Sequence, residues 1–212
     1  MPPTPRSDRM KIGTIGAGTV ALAFARQALA AGHQVVLSNS RGAASLQPLV
    51  AELGRGASTG TREEAASAEV VLLAVPWPLI PQALAGLPAW DGRILIDATN
   101  QFTSLNPAVV ADLGNTTGSE FVARLAPGAR VVKALNTLFA EYIDAPRRAA
   151  GRVVLFHAGD DAAAKTEVAT LAEEFGFIPL DVGDLRNGGQ LMQLGGSLSA
   201  QHLLKPDSLE RR

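Results

Sequence analysis

Lys11-Ile-Gly-Thr-Ile15-Gly16-Ala-Gly18-Thr-Val20-Ala21, continuing to His33-Gln-Val-Val-Leu37-Ser-Asn-Ser40-Arg41-Gly42, is the stretch whose reading decides the fold. The apolar run Ile12 to Ile15 meets Gly16-x-Gly18-x-x-Ala21, after which small and apolar residues recur at helical spacing through Val20, Phe24, Ala28 and Ala31. That order predicts a strand, a tight turn and a helix. Gly16 permits the sharp turn, Gly18 leaves room for a pyrophosphate, and Ala21 lets the helix lie close to the sheet. The free N–H groups and positive dipole end of the helix would then face phosphate, drawing Ala17, Thr19 and Val20 into the candidate site. The glycines alone are a weak signal, since an ordinary strand-to-helix turn in an alanine- and glycine-rich chain produces them too.

The continuation strengthens it. Gly32 and His33 end the helix, Gln34 to Leu37 reads as a second strand, and Ser38-Asn39-Ser40-Arg41 arrives about 20 residues after the glycines, where a bound ribose is read. An NAD-selective site places Asp or Glu there to hold the 2′-hydroxyl. Hydroxyls, an amide and a guanidinium suit a 2′-phosphate instead, through charge-assisted hydrogen bonds. The reading is NADP(H) over NAD(H). The competing reading makes Ser40 a cap for the next helix and Arg41 a solvated side chain.

Outward from this unit, strands and helices alternate. Ala44 to Leu53 reads as a helix interrupted near Pro48, Glu63 to Ala68 as a short acidic helix, and Glu69 to Val75 as a buried strand stopped by Pro76-Trp77-Pro78. Leu79 to Leu87 is a weak helix, Arg93 to Asp97 a strand, Ser119 to Leu125 a helix, and Arg130 to Leu135 a strand. Arg152 to His157 and Phe177 to Asp181 are strands around a helix from Asp160 to Phe175, opened by Asp160 or Asp161. Asp184 to Leu204, with Gly188-Gly189 and Gly195-Gly196, reads as broken helix and loop. Continuous Val/Leu/Ile runs are what a sheet covered on both faces requires. The expected class is α/β, a Rossmann-type doubly wound, mostly parallel sheet forming a single domain with a short C-terminal extension. Its expected parts are a flexible tail (1–10), an NADP-binding Rossmann domain (11–181) and a helix and loop extension completing the substrate side (182–212).

Ligands of such sheets bind beyond the carboxyl ends of the strands. Five segments are therefore expected to converge on one crevice: Gly16 to Val20, Ser38 to Arg41, Ala74-Val75-Pro76-Trp77-Pro78, Asp97-Ala98-Thr99-Asn100, and Ala134-Leu135-Asn136-Thr137. Each has a bland reading. Pro76 and Pro78 can simply end a strand, and Trp77 is more often packing than a stacking surface. Asp97 can cap a turn, with Thr99 and Asn100 satisfying loop backbone; Asn136 is similarly open. Lys133 within a strand is more often an edge or snorkelling lysine than a functional amine.

Other chemistry finds no support. His33, His157 and His202 are scattered, no His-Glu-x-x-His occurs and cysteine is absent, so no metal ligand set is visible. No Gly-x-Ser-x-Gly elbow is present. With 19 basic and 20 acidic residues the net charge is -1, which offers no case for nucleic acid or a membrane surface. No run approaches the roughly 18 apolar residues of a membrane helix, Met1 to Met10 lacks the apolar region of a signal peptide, and the expected compartment is the cytoplasm.

The segments Ile-Gly-Thr-Ile-Gly-Ala-Gly, Leu-Ser-Asn-Ser-Arg-Gly, Leu-Ala-Val-Pro-Trp, Asp-Ala-Thr-Asn and Val-Val-Lys-Ala-Leu-Asn-Thr, in this order, resemble the coenzyme F420-dependent NADP oxidoreductase family. The resemblance covers Met10 to about His202. It implies a compact domain, often a homodimer, in which a deazaflavin stacks on the nicotinamide of NADP(H) and a hydride passes directly between nicotinamide C4 and deazaflavin C5. Thr19, Val20, Ser40 and Arg41 would hold phosphates; Val75, Pro76, Asn100 and Asn136 would surround the reacting ring. Direct transfer asks for alignment rather than an acid or base, so no catalytic residue is assigned beyond the candidates Asn100 and Asn136. The small-molecule acceptor is expected to be F420 or another flat conjugated molecule such as a flavin. The rivals are a reductase of small carbonyls or imines, for which the residues after Asp181 are few, and a non-catalytic NADP(H)-sensing module.

Overall fold

The structure, a computed structural model, describes residues 9–206. Its frame is a sheet of order β11-β10-β8-β5-β4-β1-β2-β3, in which β1 (Lys11–Ile15), β2 (Gln34–Ser38), β3 (Ala57–Thr59), β4 (Val70–Leu73), β5 (Ile94–Asp97) and β8 (Arg130–Ala134) are parallel. The polarity reverses at β10 (Gly151–Gly159), which pairs antiparallel with β8 through Ala134 and His157. A parallel return needs a crossover carrying the chain back to the start of the sheet. Here the connection holds only α6 (Ala140–Asp144) and the two-residue β9 (Arg147–Arg148), which folds straight back on β10. The chain then crosses through α7 (Ala162–Phe175) to β11 (Ile178–Asp181), parallel to β10.

Helices cover both faces. On one side α1 (Thr19–Ala30), α6 and α7 bury Phe24, Ala28, Ile143, Leu171 and Phe175 against Val35, Val132 and Leu155. On the other, α3 (Arg62–Ala66), α4 (Ile80–Leu84) and α5 (Gly118–Leu125) enclose Ile15, Val71, Leu73, Leu95 and Val131, with Trp77 and Trp90. The continuous apolar strands follow from this double cover: all four residues of β4 and of β5 are buried. Asp161, of the two candidate starters, caps α7 by accepting from the Ala164 N–H at 2.7 Å, and Gly176, at φ 99°, ends it.

Several expectations shift. The helix from Ala44 begins as a 3₁₀ turn (Ala43–Leu46) and becomes α2 (Gln47–Leu53) at Pro48; likewise a 3₁₀ turn (Trp77–Leu79) leads into α4 at Pro81. Each proline falls in a first turn, where its missing N–H costs nothing. Met10 is not tail: it is 3% exposed, and its carbonyl accepts from the Gln34 N–H. The remaining N-terminal tail assignment, through residue 8, and residues 207–212 of the extension lie outside the described residues. β3, α6 and the hairpin of β6 (Phe102–Leu105) and β7 (Ala108–Val110) have no counterpart in the sequence reading, each being only three to five residues long. The C-terminal stretch holds α8 (Asn187–Met192) and β12 (Leu204–Lys205).

Candidate functional site

β1 ends at Ile15, and the chain leaves it through Gly16 at φ 110°. A Cβ on Gly16 would stand 2.2 Å from the Ala74 carbonyl oxygen, so the residue meets both a conformational and a contact demand there. Gly18 differs: a Cβ there would have nothing within 4 Å. It is the N-cap of α1, contributes no side-chain cap, and no acidic residue occupies the first turn. The first backbone bond of the helix runs from the Leu22 N–H to the Gly18 carbonyl, leaving the preceding amides for a ligand.

The turn that leads into this helix end, Gly16 to Gly18, borders a cleft of about 1000 Å³. Its walls are Gly16–Gly18, Ser38–Ala43, Gly60–Arg62 and Ala74–Pro76, with Leu79, Gln82 and Ala83 beyond. Within the second wall the side chains divide. Ser38 is fully buried and its hydroxyl donates to the Thr14 carbonyl at 2.7 Å, so it is unavailable to a ribose, contrary to the sequence reading. Asn39 is held as a turn: its Oδ1 accepts the Arg41 N–H at 3.0 Å and its Nδ2 donates to Ser45 Oγ. Ser40 and Arg41 are exposed, and neither side chain bonds another described residue. Ser40 does not cap the next turn, whose N-cap is Gly42.

Arg62 is a basic side chain of the opposite wall that sequence reasoning missed. Its guanidinium donates to the carbonyls of Gln82 (2.5 Å) and Ala83 (3.3 Å), joining α3 to the last turn of α4. The signal was Gly60-Thr61-Arg62 directly following a strand, hidden because β3 has only three residues.

The segments after β5 and β8 do not line this cleft; they meet each other at the ends of those two adjacent strands. Asp97, fully buried, accepts from the Thr99 N–H (2.9 Å), Thr99 Oγ1 (2.6 Å), Ser119 Oγ (2.6 Å) and Lys133 Nζ (3.0 Å). Burial pushes this carboxyl upward, but the Lys133 ammonium and the bonds from Ser119 and Thr99 outweigh it and hold Asp97 below the usual carboxylate range. Lys133 also donates to the Thr99 carbonyl at 2.7 Å. It is 2% exposed in an interior strand, so neither the edge nor the snorkelling expectation holds.

Above this network two amides face each other. Asn100 Nδ2 donates to the Asn136 carbonyl at 2.9 Å, and Asn136 Nδ2 donates to Asn100 Oδ1 at 3.1 Å and to the Met192 carbonyl at 2.8 Å. Asn136 is 8% exposed and its Oδ1 is buried without a partner. The stretch following β11 closes over this region: Thr117 Oγ1 donates to the Leu185 carbonyl, the Gly118 N–H to Gln193 Oε1, and the Phe139 N–H to His202 Nε2. The His202 ring stacks on Tyr142 at 4.2 Å and lies tilted against Phe139 at 4.6 Å. Trp77 packs on Phe121 at 5.1 Å, its packing role. Thus Gly16–Gly18, Ser40, Arg41 and Ala74–Pro76 share the cleft, Thr19 and Val20 begin the helix behind it, and Thr99, Asn100 and Asn136 form a separate neighbouring group.

Among proteins of known sequence or structure, residues 11–101 match the family described as NADP oxidoreductase, coenzyme F420-dependent. The structure of a hypothetical protein from Sinorhizobium meliloti is 36% identical, with 94% of this chain and 97% of that one covered and a TM-score of 0.86. That of a candidate F420-dependent NADP reductase from Arthrobacter sp. FB24 is 31% identical, covering 83% and 86% with a TM-score of 0.75. The rat metalloreductase STEAP3 is 30% identical over 184 residues, which is 85% of this chain and 35% of that protein, so this chain spans about a third of its length. A reductive aminase from Aspergillus terreus in complex with NADPH4 shares the fold at 23% identity, a TM-score of 0.62 and 58% coverage of that chain.

Proposed function

The chain belongs to the coenzyme F420-dependent NADP oxidoreductase family, and from that premise we propose that it passes a hydride directly between the nicotinamide of NADP(H) and a flat conjugated acceptor, F420 or a flavin. The observation that carries the reading is the cleft itself. An uncapped helix amino end stands beside a glycine with open space where a side chain would be, and an exposed arginine whose side chain bonds no other described residue lies one strand away. That combination fits a dinucleotide bearing an extra phosphate. The first amides of α1 take the diphosphate, while Ser40 and Arg41 take the 2′-phosphate; Ser38 contributes backbone only.

The nicotinamide, when bound, supplies the hydride at C4. Bound there, NADPH would supply two electrons and one hydrogen to the acceptor, which would take a further proton from solvent. This chain's residues contribute position: Val75 and Pro76 close one side of the ring, and the Asn100–Asn136 pair stands on the other. The orphan Oδ1 of Asn136 is an acceptor suited to a carboxamide N–H. No proton relay is required of the protein, which accords with an amide pair in place of an acid and base. Residues 11–181 supply the nucleotide site and residues 182–206 the cover on the acceptor side.

Stopped-flow absorbance with NADPH and, in turn, F420, FMN and FAD tests the proposal. Loss of the 340 nm band in step with reduction of one acceptor is the expected result. Tight NADPH binding with no oxidation by any of them overturns the hydride-transfer reading and leaves a nucleotide sensor.

A further inference from the structure

Lys133 and Asp97 lie too deep to touch a ligand, yet they carry charge in the middle of the sheet. A buried ion pair is no economical way to stabilise a fold, because desolvation consumes most of the Coulombic gain. What this pair does with its remaining valences is specific. Asp97 takes the Thr99 N–H and hydroxyl; Lys133 takes the Thr99 carbonyl. Thr99 is therefore pinned at both of its backbone groups and at its side chain, and the next residue is Asn100. Ser119, from the first turn of α5, braces the second oxygen of Asp97 and so ties this strand end to the neighbouring helix.

Asn100 in turn holds Asn136, and Asn136 holds the Met192 carbonyl at the end of α8. Three segments distant in sequence thus take their positions from one charged pair through consecutive hydrogen bonds. We propose that Lys133 and Asp97 are positioning residues for hydride transfer: through Thr99 they fix the Asn100–Asn136 amide pair that seats the nicotinamide ring. The inference rests on the nucleotide reading above and adds a determinant to it that touches neither cofactor nor acceptor. It also separates the two ends of the cofactor. The phosphate end depends on Gly18 and Arg41 and is independent of the pair, whereas the nicotinamide end depends on it.

The test uses the full chain and reads each end of the nucleotide separately. Saturation-transfer NMR with NADP⁺ monitors adenine H8 against nicotinamide H2 and H4, for the wild type and for Asp97→Asn/Lys133→Met, which removes both charges together. The expected result is unchanged adenine saturation with nicotinamide saturation reduced several-fold. Where an acceptor is reduced, kcat should fall on the order of 100-fold with KM for NADPH little changed, the cost of a misplacement of about 1 Å. Wild-type nicotinamide signals and kcat in the double variant, with only a lowered melting temperature, would reduce the pair to a structural role and overturn the inference. Should the double variant not fold, Ser119→Ala removes one brace without stranding a charge; a roughly twofold loss confined to nicotinamide signals supports the inference, and equal loss at both rings or none overturns it. Absence of both ring signals in the wild type overturns the nucleotide reading and this inference with it.

Discussion

Replacing Arg41 with alanine removes the side chain assigned to the 2′-phosphate and so tests selectivity for NADP(H) directly. Arg41 is exposed and its side chain bonds no other described residue, so its removal costs the free protein almost nothing: the apo melting temperature should hold within about 1 °C. Against a 2′-phosphate the guanidinium makes charge-assisted hydrogen bonds, worth about 1.5–3 kcal/mol in general. Solvent around this loop places the value near the lower end, about 1.5–2 kcal/mol, or roughly 10- to 30-fold in Kd. The phosphate is absent from NAD(H), whose affinity should move less than about twofold. Titration calorimetry with NADP⁺ and NAD⁺, for wild type and variant, at low salt and at about 0.5 M salt, measures both quantities. The NADP⁺ gap should narrow as salt rises, since the contact is screened. Equal losses for the two nucleotides, or a gap indifferent to salt, would show that Arg41 does not read the phosphate.

The two cleft glycines should fail in opposite ways. Gly18→Ala places a methyl in open space at φ -83°, leaving the melting temperature intact while weakening NADP⁺ by about 10- to 100-fold; Gly16→Ala drives a Cβ into the Ala74 carbonyl at φ 110° and should cost about 2–5 kcal/mol in denaturant titrations. Lys133→Met alone strands the buried Asp97 carboxylate and should cost about 3–5 kcal/mol, with the Asp97→Asn/Lys133→Met double variant recovering part of that loss. Burial lowers the pKa of both His157 and His202 from 6.5, and His202 Nε2 must be unprotonated to accept from the Phe139 N–H. A group depressed on folding stabilises fully above its unfolded pKa, so stability should be complete above about pH 7 and decline as the solution is acidified through 6.5 toward the lower folded values. Urea melts across pH 5–8 check this, and His202→Gln should flatten part of the slope.

The fingerprint at Gly16 and Gly18, the parallel strands and a start of the long helix at Asp160 or Asp161 were legible because each rests on local chemistry: a turn, a double-sided apolar run, a cap. The antiparallel setting of β10 was not, because strand polarity depends on where α6 and β9 send the chain and leaves no mark in the apolar pattern of Arg152 to His157. The same limit applied at the site. Ser38 has the right side chain at the right spacing, but whether its hydroxyl faces a ligand or the Thr14 carbonyl is set by strand register. Lys133 reads as an edge or snorkelling residue because its partner Asp97 is far off in sequence, and only the adjacency of β5 and β8 brings them together.

The stretch from Leu185 to His202 supplies a carbonyl to Thr117, an amide oxygen to Gly118, a carbonyl to Asn136 and a ring nitrogen to Phe139. Swapping this piece wholesale for a foreign loop, the usual route to a new guest molecule, would leave each of those donors without its acceptor. Retargeting by an engineer would therefore proceed through side chains on the outward surface of the piece, such as Leu191, with its main-chain path kept as found.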